Sequence, residues 1–246
     1  MPADHPLRSE THGFEDRREA GRRLSALLES RRGERPVILG IPRGGVPVAA
    51  EVARALEAPL DVAVACKLGA PRNPEYAIGA LAEGGVRVLG ERVLRDVDLD
   101  DPRLQALISK VEGELEERVC RYRGGSTPAQ IAGRTVMLVD DGLATGCSAL
   151  AAVRSLRMRG AGRIVVAAPV ASPGAVATLR KEGAEVTCVA IPDHLSAVGR
   201  WYEDFSPTAD EEVVALLAEH AARRRGRPCG TPASNGARSM GPMRNE

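Results

Sequence analysis

Two carboxylates stand side by side at Asp140 and Asp141, at the end of the apolar run Thr135–Val139. Gly142, Leu143, Ala144, Thr145, Gly146, Cys147 and Ser148 follow, and a helix-like pattern covers Gly146–Arg159. A strand that enters a glycine-containing turn and then a helix presents backbone N–H groups and the positive end of a helix dipole, which suits a phosphate. The N–H groups of Leu143 to Ser148 and the hydroxyls of Thr145 and Ser148 are the candidate donors. Two carboxylates beside such a cradle would repel a phosphate unless they take something that carries donors or a cation. Ribose hydroxyls are donors and Mg²⁺ is a cation. Phosphate on one side and sugar hydroxyls on the other describe a sugar phosphate. The stretch is neither a Walker loop nor a GxGxxG fingerprint.

Two earlier apolar runs end in comparable residues. Val37–Ile41 leads into Pro42, Arg43, Gly44 and Gly45, and Asp61–Cys66 leads into "KLGAPRNPEYAIGALAEGG", Lys67 to Gly85. In an open parallel sheet, ligands gather beyond the carboxyl ends of the strands. Each motif also has an ordinary reading: the acidic pair as a solvated turn with a helix cap, "PRGG" as a simple turn, Lys67 as a surface cation, Lys67–Gly85 as a disordered loop. Cys147 reads as a small filler at a helix start, His194 as a loop residue, and Trp201 and Tyr202 as hydrophobic anchors of the last helix, with the lining of an acceptor pocket as their second reading. The ligand reading rests on all three strand ends occurring together.

The elements that must position these residues follow from periodicity. Phe14–Arg32 carries Leu24, Leu27 and Leu28 on one side and predicts an amphipathic helix. Val37–Ile41, Asp61–Cys66, Thr135–Val139, Ile164–Pro169 and Val186–Ile191 read as buried strands. Val46–Leu56, Gly146–Arg159, Pro173–Glu182 and Ala209–Arg223 read as helices. Asp101–Tyr122 is a charged helix with Asp101 as its cap and Pro102 at its first position. Lys67–Gly85 is too long and too rich in Gly and Pro for a simple turn, which suggests a lid. Its part Tyr76–Leu81 pairs with Val86–Leu89 as a hairpin. Strands that are apolar throughout, alternating with helices, predict a doubly wound α/β fold: a mostly parallel sheet with helices on both faces. Residues 14–222 form this domain. The N-terminal helix and the segment 192–222 add a small hood. Residues 1–13 are expected to be a flexible tail and 223–246 a disordered basic one.

The chain has 246 residues, 43% of them hydrophobic and only 2% aromatic, so the core must be built of Val, Leu, Ile and Ala. The net charge is +1, unevenly spread: Arg223 to Glu246 holds six Arg and one Glu. A near-neutral body gives no reason to expect nucleic-acid binding. The five cysteines are scattered without a CxxC, and the four histidines lack metal-ligand spacing. This fits a reducing compartment, and with no membrane-spanning run or signal-peptide core the expected place is the cytoplasm.

An apolar strand followed by Asp-Asp, three residues and Thr-Gly resembles the signature of the type I phosphoribosyltransferases. "GIPRGGVPVA" is similar to that family's pyrophosphate-binding loop, often a strained turn, and "CKLGAPRNPEYAIGA" sits where the family carries its mobile catalytic loop. The match spans roughly Phe14 to Ile191, and a subgroup of bacterial stand-alone members is the nearest likeness. The resemblance implies Mg²⁺-dependent transfer of a 5-phosphoribosyl group from phosphoribosyl pyrophosphate to a nitrogenous base, purines among them, with release of pyrophosphate. It implies that Arg43, Gly44, Gly45 and Lys67 hold pyrophosphate, with charge from Arg72. Asp140 and Asp141 hold the ribose and touch metal only through the ligand. Ala144, Thr145, Gly146, Cys147 and Ser148 hold the 5′-phosphate. Glu75 exchanges a proton with the base. Ala144 stands where the 6-oxopurine members carry an Asp, and Glu75–Tyr76 matches a dipeptide of the adenine-type enzymes, which weakens the case for guanine or hypoxanthine. The expected assembly is a homodimer. The other reading, from a different class, is a non-catalytic regulator that senses phosphoribosyl pyrophosphate or a nucleotide.

Overall fold

The computed structural model describes residues 13–70, 73–89 and 101–225, with the backbone alone at 73–77. Five parallel strands form the central sheet in the order β2-β1-β6-β7-β8: β1 (Val37–Gly40), β2 (Leu60–Val62), β6 (Thr135–Val139), β7 (Arg163–Val170) and β8 (Glu185–Ala190). The inner strands are buried on both faces, and alternate residues serve opposite layers. Ile38, Met137, Val139 and Val165 pack with Leu24 and Leu28 of helix α1 (Arg17–Leu28) and Val48 and Val52 of α2 (Gly45–Ala55). Val37, Leu39, Val136, Leu138 and Val166 pack on the other face with Val153 and Leu156 of α4 (Cys147–Met158) and Leu179 of α5 (Pro173–Lys181). Apolar run plus following helix thus forecast the parallel layers well. Gly21 of α1 lets that helix lie close on α2, since a Cβ there would be 2.9 Å from the Val48 carbonyl oxygen.

The stretch 61–85 departs from the expectation of one strand and a loop. The strand expected over Asp61–Cys66 is divided: β2 ends at Val62, and β3 (Ala65–Ala70) belongs to a second sheet. The chain changes partners at Val64, whose N–H donates to the Glu83 carboxylate (2.9 Å) instead of to a parallel strand. The supposed loop is an antiparallel sheet of β3, β4 (Asn73–Ala82) and β5 (Val86–Leu89), with β4 in the middle. Pairing with β5 begins only at Gly79, and the β3 ladder is irregular between Leu68 and Ala70. Pro74 therefore lies before the β5 ladder and takes no bond from it. Gly79 lets β5 approach, because a Cβ there would collide with the Val88 carbonyl. The expected hairpin between Tyr76–Leu81 and Val86–Leu89 is present in register Gly79↔Leu89 to Ala82↔Val86.

This small sheet lies between two helices. Ala80, Ala82, Val86 and Val88 share a core with α4. Cys66, Leu68, Ile78 and Leu81 share one with Leu104, Ile108 and Leu115 of α3 (Pro102–Arg123) and with Val213 and Leu216 of α6 (Asp210–Arg225). Helix α3 begins as expected, with the Asp101 carboxylate accepting from the Arg103 N–H (2.8 Å) and Pro102 in the first turn. Phe14 and Tyr202 join the two ends of the domain by a β-bridge, and their rings pack with Phe205. The expected tails lie outside the described residues apart from Gly13 and 223–225, and the last three continue α6. Among the described residues no helix is long and apolar enough to cross a membrane.

Candidate functional site

Because β1 and β6 are neighbours in register Gly40↔Val139, the segments that follow them start side by side. The Ile41 N–H donates to the Val139 carbonyl (2.8 Å), so the "PRGG" turn is sewn to the strand that delivers the acidic pair. The Pro42–Arg43 peptide in that turn is cis. Gly44 caps α2 and Gly45 opens it. Both lie directly on the carboxylates: a Cβ on Gly44 would fall on Asp141 Oδ2 and 2.7 Å from its Cγ, and one on Gly45 would sit 2.8 Å from Asp140 Cα. These glycines are the contact surface between two strand ends, and only a residue without a side chain fits there.

The carboxylates are half-buried and unequally partnered. Asp140 Oδ1 accepts from the Asp141 N–H (2.9 Å). Asp141 Oδ2 accepts from Arg17 Nε (2.8 Å), and its carbonyl accepts from the Tyr202 hydroxyl (2.6 Å). Arg17 Nη1 donates to the Ser206 carbonyl (2.7 Å), and its guanidinium lies over the Phe205 ring, 4.0 Å from the centroid. Burial pushes the Asp140 carboxyl well above its ordinary range, with the Asp141 charge adding to it. Burial also raises Asp141, while Arg17 pulls it back toward the ionised form. The Tyr202 hydroxyl is raised too, first by burial and then by Asp141, so it stays a donor.

The third strand end completes the site. Gly146 caps α4 in a left-handed conformation, φ +72°, that glycine adopts without strain. Ser172 holds the preceding turn from behind: its hydroxyl donates to the Ala144 carbonyl (2.6 Å) and its N–H to the Leu143 carbonyl (2.8 Å). Among the described residues, the N–H groups of Ala144, Thr145 and Gly146 have no backbone acceptor, and Ala144 and Thr145 are exposed. Cys147 and Ser148 are half-buried in the first turn of α4, Cys147 packing on the core. Two helix N-termini, of α2 and α4, therefore follow adjacent strands, and the acidic pair stands at the end of the second.

Of the residues singled out in the sequence, Gly44, Gly45, Asp140 and Asp141 come into contact. Ala144 to Ser148 follow the pair on the same turn, and exposed Arg43 precedes the glycines. Lys67 is exposed on β3 of the antiparallel sheet, paired in register with Ala80. Arg72 falls outside the described residues. Glu75 and Tyr76 lie in β4 by their backbone, with side chains outside the described set. Sequence reading missed Arg17, and it placed Tyr202 as an anchor of the last helix, whereas Tyr202 packs on Phe14 and bonds Asp141. A signal for Arg17 existed. Phe14, Arg17, Gly21, Leu24 and Leu28 recur at helical spacing, which puts one arginine on a face otherwise apolar or small.

Among the described residues, no group of three or more His, Cys, Asp or Glu is placed to hold a metal ion. The acidic pair already has a cation in Arg17, so by itself it suits hydroxyl donors better than a resident metal.

Residues 15–198 match the family model of the phosphoribosyl transferase domain. Two curated proteins of Mycobacterium tuberculosis, from strains CDC 1551 / Oshkosh and ATCC 25618 / H37Rv, carry the provisional name phosphoribosyl transferase. Each is 46% identical over 204 residues, covering 83% of this chain and 46% of the relative. The chain thus spans about half the length of the curated relatives it matches. The crystal structure of the protein TT1426 from Thermus thermophilus is 47% identical, with a TM-score of 0.71, covering 84% of this chain and 98% of that one. With the family model covering most of the chain and these relatives so similar, the chain belongs to the phosphoribosyl transferase family.

Proposed function

We propose that the protein transfers a 5-phosphoribosyl group from phosphoribosyl pyrophosphate to a nitrogen of a base and releases pyrophosphate. The observation that carries this reading is the placement of the acidic pair with two glycine-led helix N-termini. The donor has the matching order of groups: an anion at each end and a diol between them. Amides of Ala144 to Ser148 suit the 5′-phosphate, and Arg43, Gly44 and Gly45 suit the pyrophosphate. The acidic pair suits the ribose hydroxyls. In the reaction the bond from sugar C1 to the pyrophosphate oxygen breaks and a bond from C1 to the base nitrogen forms, and the base gives up a proton. Positive charge gathers on the sugar, and the negative field of the acidic pair favours it. Positioning supplies the rest. Lys67 and Arg72 are the proposed further cations for pyrophosphate, Glu75 the proton acceptor, and Tyr76 a contact to the base. Mg²⁺ enters in this reading as the counter-ion of pyrophosphate. Ala144 offers no acceptor to a 6-oxopurine, so other bases are favoured.

The test is a panel of purine and pyrimidine bases with phosphoribosyl pyrophosphate and Mg²⁺, read by pyrophosphate release. Release that depends on one base supports the proposal. Tight donor binding with no release for any base would favour a sensor, and absence of donor binding would remove the sugar-phosphate reading.

A further inference from the structure

We infer that Arg17 divides the labour of the acidic pair: it fixes Asp141 as the anchor of the hood and leaves Asp140 as the carboxylate that meets the donor's sugar. This rests on the reading of the site as one for phosphoribosyl pyrophosphate. Arg17 is then a positioning residue for the transfer, acting through Asp141.

The guanidinium is held on three sides, by Asp141, by the Ser206 carbonyl and by the Phe205 ring. Its side chain is 12% exposed and that of Asp141 16%. A cation fixed by three unlike partners does not swing away when a ligand arrives. Asp141 is constrained at its other end as well, where Tyr202 bonds its carbonyl, and its carboxylate rests on Gly44. Arg17, Tyr202, Phe205 and Ser206 lie far from Asp141 in sequence, so this one residue ties both ends of the domain to the end of β6. Asp140 has none of these bonds. Among the described residues it forms no ion pair, and one of its oxygens takes the Asp141 N–H. It is the carboxylate without a cation, and so the one left to accept from a hydroxyl.

The two acids therefore separate in a mutant cycle on the full chain. Affinity for phosphoribosyl pyrophosphate with Mg²⁺ is measured by calorimetry well below the unfolding temperature, and the thermal midpoint is measured without donor. Asp140→Asn loses about tenfold or more in affinity, the effect of removing a hydrogen bond to a charged group, and keeps or raises the midpoint because a buried like charge is gone. Arg17→Met and Asp141→Asn lower the midpoint. Both weaken the donor, and the double variant is no weaker than the worse single one. Arg17→Lys, which keeps the charge but cannot hold both Asp141 and Ser206 as Arg does, recovers part of the lost affinity. A further tenfold loss when Asp141→Asn is added to Arg17→Met would show that Asp141 meets the donor itself and would overturn the division. Tighter donor binding by Arg17→Met would overturn it too, since Arg17 would then be a competitor. If the unaltered protein fails to bind the donor, the functional reading falls and takes the sugar role of Asp140 with it. The midpoints still decide the anchor, which an equal fall for Asp140→Asn would refute.

Discussion

Asp141 stands where a side chain on Gly44 would begin. Gly44→Ala puts a methyl group on Asp141 Oδ2 and 3.0 Å from Arg17 Nε, so the carboxylate must leave its ion pair or the α2 N-terminus must shift. The expected loss is about 1–3 kcal/mol, the range for a forced shift in a packed site, together with a weaker hold on phosphoribosyl pyrophosphate. Gly174→Ala is the matched control. It lies in α5 with nothing within 4 Å of its Cβ position, so it should be neutral or gain up to roughly 1 kcal/mol. Urea unfolding of the two variants separates contact at the site from the general effect of adding a methyl group. Equal behaviour would mean that Asp141 moves aside freely. The sequence disclosed the two acids and the two glycines at their own positions. It could not disclose that they touch, because the contact depends on β1 and β6 being neighbours.

At the scale of elements, Arg123 ties the antiparallel sheet to the edge of the parallel one. Arg123, at the end of α3 and 7% exposed in its side chain, bonds the Glu83 carboxylate (2.7 Å), the Asp61 carboxylate (3.4 Å) and the Val62 carbonyl (3.0 Å). Glu83 in turn takes the Val64 N–H, and its carbonyl takes the Ser155 hydroxyl of α4 (2.5 Å). The switch of the chain from one sheet to the other is therefore held by side chains together with one backbone bond, from the Glu83 N–H to the Val64 carbonyl (3.3 Å). Arg123→Met leaves Asp61 without its cation and Glu83 with only the longer contact to Arg159 (3.9 Å), and should cost about 3–5 kcal/mol. Amides of β3 to β5 should lose hydrogen-exchange protection with it. Arg87→Met breaks the exposed pair with Glu112 that also joins β5 to α3, and should cost no more than about 1 kcal/mol. A similar cost for both would mean that the buried cluster does not hold the sheet. This network also explains why the sequence misled over 61–85. Strand propensity is weak in a run of Gly, Ala and Pro, and what makes it a sheet is packing between α3 and α4 and the distant Arg123.

For the whole molecule, the parallel layers were legible because each strand is buried on both faces and each helix on one, which leaves a pattern in the local sequence. What was illegible is non-local: the sheet order, the change of partners at Val64, and Arg17, which meets Asp141 across 124 positions. Global stability offers a further non-local test at α6. His220 Nε2 is 2.8 Å from the Ala58 carbonyl oxygen, between α6 and the turn after α2. Burial lowers its proton affinity below that of an ordinary histidine, with Arg224, Arg54 and Arg223 adding to this and the bond to Ala58 opposing it. The unfolded chain therefore takes up a proton near pH 6.5, where the folded chain still resists it. The unfolded state binds more protons in that window, so stability rises with pH there. The contribution of His220 is complete above about pH 6.5 and is lost as pH falls through the lowered folded value. Urea unfolding at about pH 7.5 and about pH 5.5 should show a drop in the unaltered protein that His220→Gln reduces, since glutamine can still donate to Ala58 but takes no proton. An undiminished drop in the variant would assign the pH dependence to groups other than His220 and would leave α6 without a part in it.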